Sequence, residues 1–244
     1  MASSYDVRPR LGIRFSLPVN IFIFIGFLVI SPLLLFLFLV LVSIGVRPLL
    51  ALTLTLGSLL TSYINVVVAE VTYYTPFTPF IDFMKLFPMP ITIQRVDKLF
   101  LEVNVGGAVI PTIVSIYLIT EYLIRSMLVF ISFVMSLALS SLIIWRNARL
   151  IPGIGIALPS ALPILLTLTF TLITTITLHA NPLAFSYSLG SLSTLLGADI
   201  FNIKRVVRVM RGYVSIGGAG VFDGIYLTGL TSLILASLYR ALLL

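Results

Sequence analysis

Seven long apolar stretches, separated by short polar segments, dominate the chain. They cover residues 17–42, 48–68, 104–123, 127–145, 156–178, 184–203 and 221–243. Each approaches the roughly 20 apolar residues that a helix needs to cross the hydrocarbon core of a bilayer. The pattern therefore predicts an all-α fold: a polytopic transmembrane bundle of about seven helices, forming one domain over residues 1–244. The first stretch follows Arg8, Arg10 and Arg14, as a signal peptide would. It is too long for an apolar signal core and shows no small-residue cleavage site, so it is read as a retained helix.

The longest polar interruption is 71–103. Within it, Phe77, Phe80, Met84 and Phe87 stand at near-helical spacing among Pro76, Pro79, Pro88 and Pro90, which predicts an interfacial segment. Residues 91–94 and 99–103 then alternate apolar and polar positions around a polar run at 95–98. That is the signature of a small β-hairpin.

Composition narrows the class. The chain is 59% hydrophobic and 9% charged, against about 25% charged residues in an average soluble domain. This excludes a soluble enzyme, a disordered tail and a disulfide scaffold. With no Cys and one His, thiol chemistry and multi-His metal ligation are excluded too. There is no Gly-rich phosphate loop ending in Gly-Lys-Ser or Gly-Lys-Thr, and no cofactor is implied.

Net charge is +7. With the N-terminus placed inside, the inner segments collect twelve Lys and Arg residues, while the outer ones hold only Arg47, Arg125 and Arg240. Lys and Arg concentrate on the cytoplasmic side of membrane proteins, so the expected topology is N-terminus inside and C-terminus outside. The charge then reports topology, and no nucleic-acid partner is expected. Lys204, Arg208 and Arg211 recur at i, i+4, i+7. They read either as an ordinary basic loop or as a turn lying on anionic lipid headgroups.

Landmarks recur in order. The run from Pro32 resembles that from Pro163, Leu56-Gly57-Ser58-Leu59 recurs as Leu189-Gly190-Ser191-Leu192, and Val105-Gly106-Gly107-Ala108 recurs as Ile216-Gly217-Gly218-Ala219. Spans one to three then match five to seven, a parallel 3+1+3 repeat of the kind found in some transporters; chance similarity among Leu-rich helices is the alternative. Three spans also begin on the inner side with Gly or Pro. These are Asn104, Gly106, Gly107 and Pro111; then Pro152, Gly153, Gly155, Pro159 and Pro163; then Gly217, Gly218, Gly220 and Gly224. Irregular backbone at membrane depth survives where protein or a wet cavity satisfies it, so the breaks are candidate binding elements around one polar cavity. Close helix packing on small residues is the plainer reading.

Of eight acidic residues, Asp6, Glu70, Asp82, Asp97, Glu102 and Glu121 fall in or beside loops. Asp199 and Asp223 fall near the inner ends of spans six and seven. Carboxylates inside a membrane are costly and mark candidate functional sites. Asp223 also suits a helix N-cap, and Asp199 a surface salt bridge to Lys204 or Arg205. A negative charge fits a helix start at 223 and opposes a helix end at 199. A carboxylate pair with separated proton affinities can activate a water and protonate a leaving group.

Four segments together resemble an uncharacterised prokaryotic membrane family, domain of unknown function 1614. They are 103–111, 152–159, 190–202 with Gly197-Ala198-Asp199, and Gly217-Gly218-Ala219-Gly220-Val221-Phe222-Asp223-Gly224. That resemblance implies no activity. A weaker one is to the presenilin and signal-peptide-peptidase class of intramembrane aspartyl proteases, which carry one Asp on an inward helix and a second on the next, outward helix after a glycine. It implies catalytic roles for Asp199 and Asp223. The chain departs from that class in having Gly220-Val221-Phe222-Asp223 for Gly-x-Gly-Asp and Ala198 before Asp199. Its nearest equivalent of the Pro-Ala-Leu motif is at 157–163, ahead of the aspartates.

Three functions remain open: an intramembrane aspartyl protease acting on a membrane-protein or peptide substrate, a transporter or ion-coupled carrier, and a non-catalytic scaffold. A carrier would recruit Asn65 and Thr112, the repeat equivalents of the two aspartates. A scaffold would engage both aspartates with Lys or Arg and have no cavity.

Overall fold

The computed structural model describes residues 4–15, 20–43, 46–77, 93–152, 155–220 and 223–242. Strand β1 (Ser4–Phe15) leads into helix α1 (Asn20–Ser43), which returns through α2 (Pro48–Thr61) to strand β2 (Ile64–Phe77). Strand β3 (Ile93–Asn104) runs directly into α3 (Val105–Leu123), and α4 (Met127–Asn147) follows. A short hairpin of β4 (Arg149–Ile151) and β5 (Gly155–Ala157) precedes α5 (Ala161–Leu178). Helix α6 (Pro182–Thr194) continues through a π-helical turn (Leu195–Asp199) and a 3-10 turn (Ile200–Asn202) into α7 (Ile203–Val209). Strand β6 (Gly212–Ile216) and helix α8 (Gly224–Leu242) complete the order.

The fold is mostly helical but not all-α. A four-stranded sheet, in the order β1-β2-β3-β6, stands at one end of the bundle. Strands β1, β2 and β3 are antiparallel neighbours, and β6 joins β3 in parallel, from Leu99 opposite Gly212 to Val103 opposite Ile216. The second apolar stretch, 48–68, hid part of this sheet. Its helix stops at Thr61 after 14 residues, about 21 Å at 1.5 Å per residue. Ile64-Asn65-Val66-Val67-Val68 then begins β2. Branched residues of this kind favour a pleated strand, yet in hydropathy they simply extend the helix before them.

The expected hairpin turn at 95–98 is also corrected. Ile93–Asn104 is one strand, with β2 as its antiparallel partner. The polar run is accommodated within the sheet: Lys98 reaches Glu70 on β2 at 2.6 Å. Of the expected interfacial segment, Phe77 ends β2, and Phe80, Met84 and Phe87 lie outside the described residues.

Three of the described helices, α3, α4 and α5, are long and apolar enough to cross a membrane. Their packing agrees with a lipid setting. Large side chains on α4 and α5 face outward, including Met127, Leu128, Leu165 and Ile176. Small hydroxyl residues such as Ser136, Ser140, Thr167 and Thr171 face inward. Small and hydroxylated residues at helix contacts allow close approach where lipid supplies no hydrophobic drive between helices. Helix α6 lies almost wholly inside the bundle, against α3, α4, α5 and α8. Its Gly190 backs onto the Thr228 carbonyl, and Gly229 of α8 packs on Ser191.

The sheet's inner face forms a second core. Val71, Tyr73, Leu99 and Leu101 pack with Val206 and Met210 of the α7 segment, and Leu150 and Ile156 of the small hairpin join them. The outer face carries Glu102, wholly buried, whose two carboxylate oxygens accept from Arg14 Nε and Nη2 at 2.7 and 2.6 Å. Arg14 also lies over the Tyr213 ring, which stacks on Phe100 with centroids 4.9 Å apart.

Candidate functional site

A cavity of about 620 Å³ opens where the bundle meets the sheet. Its walls come from β3, β6, β5, the α7 segment and the ends of α6 and α8. Among the described residues its charged lining is Asp199, Asp223 and Arg211. Tyr213, Val214, Ser215 and Ile216, four consecutive residues of β6, all border it. Successive side chains of a strand point to opposite faces, so the cavity runs along an edge of β6. One edge of β6 pairs with β3, and the other is unpaired among the described residues.

Asp199 ends the π-helical turn of α6. The backbone there is set by neighbours on both sides. Gly197 lies against the Ser141 carbonyl of α4, where a Cβ would stand 2.5 Å away. Asn202 donates from Nδ2 to the Gly197 and Ala198 carbonyls at 3.1 and 2.9 Å. The surface salt bridge to Lys204 or Arg205, the alternative reading of Asp199, is not formed among the described residues. Arg205 instead donates to Asn202 Oδ1 and lies over the Trp145 ring, and among the described residues neither aspartate has a Lys or Arg partner. Asp223 does cap a helix: its Oδ1 accepts the Ile225 N–H at 3.1 Å, and the Ala219 N–H also reaches its carboxylate. Both carboxylates line the same cavity.

The glycine motifs lie beneath the cavity. Asn104 is buried; its Oδ1 accepts the Gly107 N–H at 2.8 Å, and its Nδ2 donates to the Ser62 carbonyl and to Asn65 Oδ1. Ser215 of β6 donates to the same Asn65 oxygen at 2.8 Å. Gly106 backs onto Ser58 of α2, whose hydroxyl donates to the Gly106 carbonyl. Gly107 packs on the backbone of Gly217 and Gly220, both in the left-handed region at φ 69° and 63°. The turns that start α3 and α8 therefore meet backbone to backbone. Among these glycines Gly218 lines the cavity, as does Gly155 of β5. Pro159 is exposed and Pro163 is buried in the first turn of α5; neither borders the cavity.

The sequence pattern groups Arg211 with Lys204 and Arg208 as surface charge, and all three are exposed; it marks neither the β6 wall nor the place of Arg211 at the cavity. In the structure its guanidinium lies 3.5 Å above the Tyr73 ring and donates to the Met210 carbonyl at 2.7 Å. The signal was Gly212-Tyr213-Val214-Ser215-Ile216, an alternating run just before a Gly-Gly pair, as in β3 before Gly106-Gly107. Among the described residues no cluster of His, Cys, Asp and Glu could hold a metal ion.

Residues 59–235, well over half of the chain, match the family described as Protein of unknown function (DUF1614). The chain belongs to this family. The match spans β2, β3 and the cavity, and both aspartates fall inside it. It makes no link to the presenilin and signal-peptide-peptidase class. No curated protein and no solved structure matches the chain.

Proposed function

We propose that this DUF1614 protein is an intramembrane aspartyl hydrolase acting on peptide segments, with Asp199 and Asp223 as its catalytic pair. One observation carries the reading: both carboxylates line one cavity and neither is held by a basic side chain among the described residues. In the reaction, the ionised carboxylate takes a proton from water, and the water oxygen bonds to the scissile carbonyl carbon. The protonated carboxyl gives its proton to the carbonyl oxygen, forming a tetrahedral diol. Collapse breaks the C–N bond, and a proton returns to the leaving amine. The edge of β6 that is unpaired among the described residues suits an extended substrate, because a strand added there gains main-chain hydrogen bonds along the cavity.

The same reading places seven helical segments across the bilayer, with the N-terminus and the sheet inside and the C-terminus outside. The exposed Lys204 and Arg208 on α7 then face anionic headgroups. The parallel units β3–Gly–Gly–α3 and β6–Gly–Gly–α8 support the 3+1+3 repeat. A carrier reading is less well supported. Asn65 is occupied by Asn104 and Ser215, Thr112 bonds the Ala108 carbonyl, and neither borders the cavity.

The test uses the full chain in nanodiscs with a panel of fluorogenic membrane-helix peptides. Asp199→Asn and Asp223→Asn are each expected to lower cleavage at least 100-fold with unchanged melting. Cleavage that survives either substitution, or wild-type protein that cleaves nothing while moving solutes in proteoliposomes, overturns the proposal.

A further inference from the structure

We infer that Arg211 forms an anion subsite of the cavity, so that the preferred substrate carries a carboxylate four to six residues from the bond that is cut. The inference rests on the hydrolase reading and goes beyond it by naming what the site selects.

Three observations carry it. Arg211 is the one cation lining the cavity among the described residues. It has no carboxylate partner among the described residues: its guanidinium meets the Tyr73 ring and the carbonyls of Met210 and Arg208. Elsewhere on the sheet the basic residues behave differently. Arg8, Arg10, Arg14 and Lys98 each meet Asp6, Glu70 or Glu102. A guanidinium seated over an aromatic ring and bonded to a carbonyl is partly ordered before a ligand arrives, which lowers the cost of binding one. Its planar fork matches a carboxylate bidentately. Tyr73 is fixed in turn, since its hydroxyl donates to the Val207 carbonyl.

The spacing follows from β6. Arg211 immediately precedes the strand, whose five residues end at Ile216. At about 3.3 Å per residue that is roughly 16 Å of extended chain. Asp223 follows the turn at 217–220, its N–H donating to the Gly220 carbonyl. A peptide lying along the free edge of β6 with its scissile bond near the aspartates reaches Arg211 four to six residues away. Acidic residues beside the cut gain nothing from it.

The experiment uses full-length protein in neutral-lipid nanodiscs and a peptide series with one Glu moved stepwise from the scissile bond. Gln and Lys versions of each peptide serve as controls. Cleavage and equilibrium binding, by anisotropy of the labelled peptide, are both measured. Glu at the four-to-six position should lower Kd and KM about tenfold relative to Gln, with kcat little changed. Arg211→Gln should erase that preference, and Arg211→Glu should invert it toward Lys. Equal binding of Glu and Gln peptides to wild type overturns the subsite. So does an Arg211 dependence that follows added anionic lipid and ignores peptide charge, which would place a headgroup there. Charge-selective binding that Arg211→Glu inverts, without any cleavage, keeps the subsite and removes the hydrolase. Cleavage by the aspartates without charge preference does the reverse.

Discussion

Replacing Gly107 by Ala tests whether the two glycine turns are locked together. A Cβ at 107 would run into the Gly217 carbonyl oxygen and stand 2.7 Å from the Gly220 oxygen and 3.0 Å from its Cα. All three are backbone atoms, so no rotamer change relieves the clash. Gly217 and Gly220 are themselves in the left-handed region, which leaves their turn little room to shift. Overpacking of this kind costs about 3 kcal/mol. The intrinsic gain of Ala over Gly in a helix offsets about 1 kcal/mol. The net loss of about 2 kcal/mol corresponds to a fall in Tm of roughly 4–8 °C for a chain of this size. Gly57→Ala is the internal control. It is also helical, but its added Cβ meets only Ile110 Cδ1 at 3.7 Å. There the propensity gain of about 1 kcal/mol should win and raise Tm by roughly 2–4 °C. The assay is fluorescence-detected melting of both full-length variants in one detergent. If Gly107→Ala melts at or above wild type, the backbone contact between the turns is not as described, and the argument fails.

Arg14→Met leaves the wholly buried Glu102 carboxylate without its partner and should cost about 3 kcal/mol. Adding Glu102→Gln should recover part of the loss; equal Tm values for the single and double variants would sink the buried-pair account. Lys98 and Arg10 hydrogen-bond Glu70 and hold its carboxyl below the ordinary carboxylate range. Its folded pKa is thus below its unfolded pKa, so the stabilisation is complete above the unfolded value and is lost as pH falls through the folded one. Tm measured against pH on the acid side should therefore fall less steeply for Glu70→Gln than for wild type, and parallel curves would refute the linkage. Asp223→Ala removes an N-cap and should cost about 1 kcal/mol, whereas Asn caps as well as Asp. Equal melting of the Ala and Asn variants would show that the cap contributes nothing.

What could be read from the chain alone was whatever local pattern controls. Low charge and long apolar runs set the membrane class, and the spans at 104–123 and 127–145 lie within two residues of α3 and α4. Here lipid-facing and core-facing apolar residues alike keep the helical pattern legible. The family match supports the resemblance drawn from the motifs at 103–111, 152–159, 190–202 and 217–224. Asp199 and Asp223 stood out because a carboxylate among apolar residues is rare for a physical reason.

The sheet was decided by tertiary structure. Ile64-Asn65-Val66-Val67-Val68 reads as the tail of a helix until β1 and β3 are present to pair with it. Parallel pairing of β6 with β3 joins segments more than a hundred residues apart, and no local period encodes it. The same limit hid the placement of Arg211. On the sequence it is one of several basic residues beside α7. Only the fold of β2 brings Tyr73 beneath it, and only the meeting of β6 with the ends of α6 and α8 places it in a cavity with two carboxylates. Local periodicity determines which segments are helices; which polar groups share a cavity depends on long-range pairing that the chain completes only when folded.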